Sequence, residues 1–228
     1  RDADERAYQA VLSAYWIGTT EVTQAQWRAV MGDAPSECSV GCGDDYPVNK
    51  ITWEDAARFA NTLSRKLGFS ECYQHVYSEW VWDRSCDGFR FPTEAEWETA
   101  ARAGTTTPYS FGDRSVVCVH ANLNEDTEPD CSDGYEGLAP VQTYGPNAWG
   151  VYGMHGNARE WIWDFDGDYP TGVVHDPAGP TSGNYRGLRG GSFENSPEFL
   201  RSAFRDSISP TIGTESIGFR VARSGRSR

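Results

Sequence analysis

Six cysteines and four histidines are the side chains in this sequence that could bind a soft metal or cross-link the chain. The cysteines fall as close pairs: Cys38 with Cys42, Cys72 with Cys86, and Cys118 with Cys131. Each pair brackets a loop rich in Gly or Asp, so local disulfides between neighbours are the preferred pairing. The competing reading is a metal site, because the run CSVGC from Cys38 to Cys42 is spaced like half of a zinc site. His75, His120, His155 and His175 are dispersed, with no H-x-H, H-x-x-x-H or H-E pair to complete one. Disulfides imply an oxidising, extracytoplasmic compartment: secreted, periplasmic or cell-surface. No G-x-S-x-G run marks a hydrolase nucleophile.

Oxygen donors are more plentiful. Carboxylates and amides recur beside glycines in ANLNEDTEPDCSDGYEG and GPNAWG, and Ca²⁺ takes six to eight such oxygens, backbone carbonyls included. The run WDFDGDYP carries Asp164, Asp166 and Asp168 at alternate positions. Its glycine comes too early for an EF-hand and no Glu closes it, so it reads as an exposed acidic loop.

The elements that must position these groups follow from capping chemistry. Thr23 with Gln26 opens a helix that Gly32 ends, with Trp27, Val30 and Met31 facing the core. Thr52 with Asp55 opens a second, ended by Gly68, whose apolar stripe is Ala56, Phe59, Ala60, Leu63 and Leu67. Thr93 with Glu96 opens a third, burying Trp97, Ala100 and Ala101. Beyond Tyr109 no helical period persists. GVYGM, LRGGSF and IGFRVAR carry the residues of short strands, and in REWIWD the alternation of Trp161 and Trp163 with Ile162 predicts a strand with one face buried.

With 24 Gly, 12 Pro and 9 Trp in 228 residues, the chain reads as one loop-rich α+β domain. A net charge of -13 argues against nucleic acid and anionic membranes as partners. No apolar run approaches the roughly 20 residues needed to cross a bilayer, so direct membrane insertion is not expected.

Taken in order, YWIGTTEVTQAQW, YPVNKITWEDAARFANTL, RFPTEAEWETAARAG, APVQTYGPNAWGVYGMHGNAREWIWD, LRGGSF, and RSAFR with IGFRVAR resemble the formylglycine-generating-enzyme (sulfatase-modifying-factor) family. The resemblance sets a domain over residues 15–223, an extension over 1–14 and a tail over 224–228. It implies a C-type-lectin-like, disulfide-stapled fold with little regular secondary structure and structural calcium. By resemblance, one ion would be held by Asn122, the Leu123 carbonyl, Asp133 and the Tyr135 carbonyl. A second would use Asn147 with the carbonyls of Ala148 and Gly150.

Members of the family that form formylglycine hold copper on two cysteines after a G-G-S motif. Here the resemblance places Asn195 and Leu200 at those positions, and neither supplies the thiolate that cuprous copper prefers. No catalytic residue and no copper are expected, and the chain reads as a non-catalytic module for a peptide, protein or glycan ligand. The resembled groove would be lined by Trp149, Arg159, Trp163, Tyr169, Ser192, Phe193, Glu194, Asn195, Glu198 and Phe199, while Glu160 and Arg205 would form a buried pair. The alternatives are a divergent metal-dependent oxidoreductase, or a variable ligand-binding protein of a diversity-generating retroelement, which the C-terminal layout also resembles. Glu194, Glu198 and Glu215 weigh against the latter, because glutamate does not arise from the mutated AAC codons.

Overall fold

A computed structural model describes residues 8–36, 38–77, 79–124, 131 and 134–225. All three helices start where the caps predict. In α1 (Gln24–Met31), α2 (Trp53–Lys66) and α3 (Glu94–Arg102), the threonine side chain accepts from the third helical N–H, and the third residue's side chain reaches back to the cap. Each such box satisfies two N–H groups that would otherwise lack partners, at about 1 kcal/mol per cap. Gly32 ends α1 in a left-handed conformation. The stripe of α2 is buried through Ala60, but Leu67 is 56% exposed. The helix stops at Lys66, so Leu67 leaves the periodic face.

The strands are short: β1 (Gln9–Val11), β2 (Tyr15–Ile17), β3 (Tyr73–Val76), β4 (Glu79–Trp82), β5 (Phe89–Arg90), β6 (Arg159–Phe165), β7 (Val173–His175), β8 (Arg186–Arg189), β9 (Asp206–Ile208), β10 (Ile217–Phe219) and β11 (Ala222–Ser224). The largest sheet runs β10-β6-β8-β9, with β10 parallel to β6; β2-β11-β5 is antiparallel, and β3-β4 and β1-β7 form two-stranded ribbons. The mixed, strand-rich architecture with few helices agrees with the α+β reading.

Three strand expectations change. GVYGM forms no strand, because Gly150 and Gly153 hold positive φ angles of 78° and 64° that break extension. LRGGSF extends only to Arg189, where Gly190 and Gly191 turn the chain at φ 93° and 69°. β6 is buried on both faces rather than one, since Glu160, Trp161, Ile162 and Asp164 are all buried in a strand paired on each side. Asp164 therefore belongs to the interior, whereas Asp166 and Asp168 are exposed as predicted.

Two indole bonds lock α2 to this strand. Trp53 Nε1 donates to the Ile162 carbonyl (2.8 Å) and Trp161 Nε1 to the Ile51 carbonyl (3.1 Å). Around them pack Trp27, Phe59, Phe91 and Phe219, each at most 3% exposed. Such large side chains contribute roughly 1.5–3 kcal/mol apiece on burial. Arg220, fully buried, makes a two-pronged pair with Glu160 (2.7 Å to each oxygen) and donates to the carbonyls of Gly18 and Tyr152. Glu160 thus pairs with Arg220, and the expected partner Arg205 goes to Glu94 (2.6 Å). Glu21 lies against the same guanidinium, and burial pushes its carboxyl well above the usual range.

The cysteines pair as neighbours: Cys38–Cys42, Cys72–Cys86 and Cys118–Cys131. This removes the thiolates that a zinc site would need, and the three bonds suggest a location outside the cytoplasm. Among the described residues, no helix is long and apolar enough to cross a membrane.

Candidate ligand cleft

A cavity of about 770 Å³ opens between β4 and the chain that follows β6. Trp80 and Trp82 form one wall; Trp163, Phe165 and Tyr169 line it from β6 and the loop beyond; His175 and residues 176–182 close the far side. The alternation of SEWVWD places both indoles on one side of β4. The Trp82 and Trp163 rings meet edge to face at 5.4 Å, and Trp163 stacks on Tyr73 at 5.1 Å. These contacts hold the aromatic wall in one arrangement.

Charge sits at the edge and base of this cavity. Asp164 Oδ2 accepts the Glu94 N–H at the first turn of α3 (2.9 Å). Burial, assisted by the charge of Glu94, raises the Asp164 carboxyl to about 8, so at neutral pH it carries a proton. Arg205 reaches Glu94 and lies over the Tyr169 ring at 4.3 Å. Behind the wall, Arg186 is sandwiched by Phe165 (3.5 Å) and Trp53 (4.0 Å), where burial lowers it to about 10.

Of the residues expected to bind ligand, Trp163 and Tyr169 line this cavity and the rest do not. Arg159 is held by Ser216, Asp206 and Glu194 at 2.7, 3.2 and 3.4 Å. Trp149 is 56% exposed on a separate turn. Phe193 donates its N–H to the Asn157 carbonyl, Phe199 meets Phe204 edge-on at 5.0 Å, and Glu198 faces Arg114 at 3.7 Å. Reasoning from sequence missed Trp80, Trp82, Glu94 and Arg205 as cavity residues. The indole alternation in SEWVWD was the signal available for the first two.

At the two positions where the resemblance places the family's cysteines, the side chains make internal contacts. Asn195 Oδ1 accepts from the N–H (3.0 Å) and the hydroxyl (3.1 Å) of buried Ser192, closing a turn. Leu200 is fully buried and packs with Tyr109, Val117, Ala121 and Leu123. Its carbonyl accepts from His155 Nδ1 (2.7 Å), while His155 Nε2 accepts from the Ser110 N–H and lies 3.1 Å from its hydroxyl. Burial lowers this imidazole to about 4, and a ring nitrogen already accepting a backbone N–H is a poor base. The pair joins two loops.

The two calcium sets differ in fit. Asn122 is buried; its Nδ2 donates to the Gly137 carbonyl (2.8 Å) and Asn157 Oδ1 (3.2 Å), while its Oδ1 has no hydrogen-bond partner among the described residues. A buried acceptor left so costs about 1–3 kcal/mol, and a cation would satisfy it. Asp133, expected in the same set, lies outside the described residues. In the second set, Asn147 Oδ1 accepts from the N–H groups of Trp149 and Val151, and its Nδ2 donates to the Ala100 carbonyl. Both lone pairs of that oxygen are engaged, so neither is left for a cation. Among the described residues, no group of three or more His, Cys, Asp or Glu could hold a metal.

Comparison with known proteins places these features in a family. The chain is 33% identical to Treponema denticola variable protein 1, whose solved structure it matches with a TM-score of 0.87 over 98% of this chain and 90% of that one. It is 31% identical over 222 residues to the formylglycine-generating enzyme of Thermomonospora curvata, covering 91% of this chain and 63% of the enzyme. It is also 31% identical over 180 residues to the chaperone protein LppX of Paenibacillus barcinonensis, covering 68% and 63%. The chain thus spans less than two thirds of these curated relatives. A family model described as the sulfatase-modifying factor enzyme 1-like domain matches residues 2–225, and it is to this family that the chain belongs.

Proposed function

We propose that this chain is a non-catalytic, extracytoplasmic binding module that takes a peptide, protein or glycan ligand in the cleft between β4 and the loop after β6. The observation that carries the reading is the pairing of an aromatic cavity of about 770 Å³ with the structural use of the two positions that would hold copper. Large preformed cavities with rigid rings and a few placed polar groups suit ligand recognition. The disulfides and the net charge of -13 favour a secreted, periplasmic or cell-surface setting without nucleic acid or membrane insertion. In this reading the scaffold is C-type-lectin-like and Asn122 Oδ1 contributes to a structural calcium.

A second reading, a variable ligand-binding protein, is favoured by the likeness to the Treponema denticola protein over nearly the whole chain. A divergent oxidoreductase is the catalytic alternative. Metal analysis and oxygen uptake with cysteine-containing peptides separate it from the module: the expected result is neither stoichiometric copper or iron nor turnover. On glycan and peptide arrays, binding that falls at least tenfold in Trp82→Ala supports the cleft. Stoichiometric redox metal with turnover overturns the non-catalytic reading.

A further inference from the structure

The geometry points to an extended basic polypeptide segment as the ligand, added as a third strand along the free edge of β4. This inference rests on the binding-module reading and names its ligand class. Tyr73 stands opposite Trp82, and its N–H and carbonyl turn away from β4 to the Asn61 side chain (3.1 and 2.7 Å). One residue on, the Asp83 N–H donates to the Cys72 carbonyl across the ribbon (2.9 Å). In an antiparallel ladder such pairs alternate, so a residue opposite an outward-turned one is itself turned outward. Trp82, and Trp80 two residues before it, therefore direct their N–H and carbonyl groups to the outer edge of β4. Among the described residues no strand pairs there, and these four groups have no hydrogen-bond partner.

That edge faces the cavity. Residues 79–82 line it consecutively although their side chains alternate between two faces, and what the four share is the edge. Across the cleft, β7 pairs among the described residues with β1 alone; its bonds to β1 flank Val174, which leaves the backbone groups of His175 facing the other way. Two unpaired edges thus border one opening, and β4 alone offers about 13 Å of extended backbone. Strand addition is the recognition mode such an edge supports.

Charge gives the partner its sign. Glu79 and Asp168 are exposed cavity-lining carboxylates, whereas Arg205 is paired with Glu94 and the charge of Arg84 is met by the Asp176 carboxylate. With a chain net charge of -13, lysine or arginine on the incoming strand complements this rim.

The test pans a phage-displayed library of linear peptides against the immobilised chain and measures synthetic versions of the enriched sequences by fluorescence anisotropy. The expected result is enrichment of lysine and arginine, a loss of at least tenfold in affinity when alternate residues on one edge of the peptide are Nα-methylated but not when those on the other edge are, and a similar loss for Glu79→Lys/Asp168→Lys. Both substituted positions are exposed, and unchanged Tm verifies the fold. Acidic enriched sequences, or indifference to methylation on either edge, overturn the inference. A dimer formed through β4 overturns it in favour of a second copy. Glycans that bind in a Trp82-dependent way while no peptide is enriched overturn it and leave the binding module standing; neither ligand binding removes both.

Discussion

Asp164 and Glu94 meet at the start of α3, the carboxyl of one accepting the backbone N–H of the other at 2.9 Å. The contact seats a buried acid beside a second carboxylate, and burial lifts Asp164 to about 8. A carboxyl raised in the fold binds its proton more tightly there than in the unfolded chain. Its contribution to stability is therefore full at acid pH and declines as pH rises from the ordinary Asp range towards about 8. Asp164→Asn keeps an acceptor for the Glu94 N–H and abolishes this decline. The variant is expected to melt several degrees above the parent at about pH 9, an advantage that shrinks towards about pH 5. Calorimetry across pH checks it; parallel curves contradict the assignment.

Leu200 and Asn195 should differ sharply when truncated. Leu200→Ala empties a fully buried site and is expected to cost about 2–5 kcal/mol. Asn195→Ala removes only a turn closure, at about 1 kcal/mol. Urea denaturation reads both, and equal small losses would show that Leu200 is not a packing residue.

The disulfides are not equivalent. Cys72 and Cys86 are buried in the main core and close a separation of 14 residues, so replacing both with serine is expected to cost about 2–4 kcal/mol. Replacing Cys38 and Cys42, only 4 residues apart, restrains little chain and should cost less. Reversal of that order in chemical denaturation would contradict the loop-closure account.

If Asn122 Oδ1 is satisfied by calcium, chelation lowers the Tm and added calcium restores it, while Asn122→Ala loses the response. A Tm indifferent to chelation in the parent chain rules the site out.

The helices were legible in the sequence because a capping box is local: Thr23, Thr52 and Thr93 bond residues three positions away, whatever the rest of the chain does. The cleft was not, and two similar runs show why. EWVWD, at 79–83, and EWIWD, at 160–164, share one pattern. The first forms the open edge of a ribbon, whereas the second is paired on both sides and buried. Which of these befalls a strand depends on partners far along the chain, as does the burial of Asp164. Of the residues that the resemblance places in a groove, Trp163 and Tyr169 line this cleft, while Arg159, Ser192 and Asn195 make bonds to nearby loops.

The placement of the indoles gives the molecule a built-in optical reporter. Of nine tryptophans, Trp80, Trp82 and Trp163 line the opening, while Trp27, Trp53, Trp97 and Trp161 are sealed from solvent. A collisional quencher such as acrylamide should therefore reach the opening's rings and spare the sealed ones. Whatever molecule settles there announces itself by shielding that emission, without a label on either party.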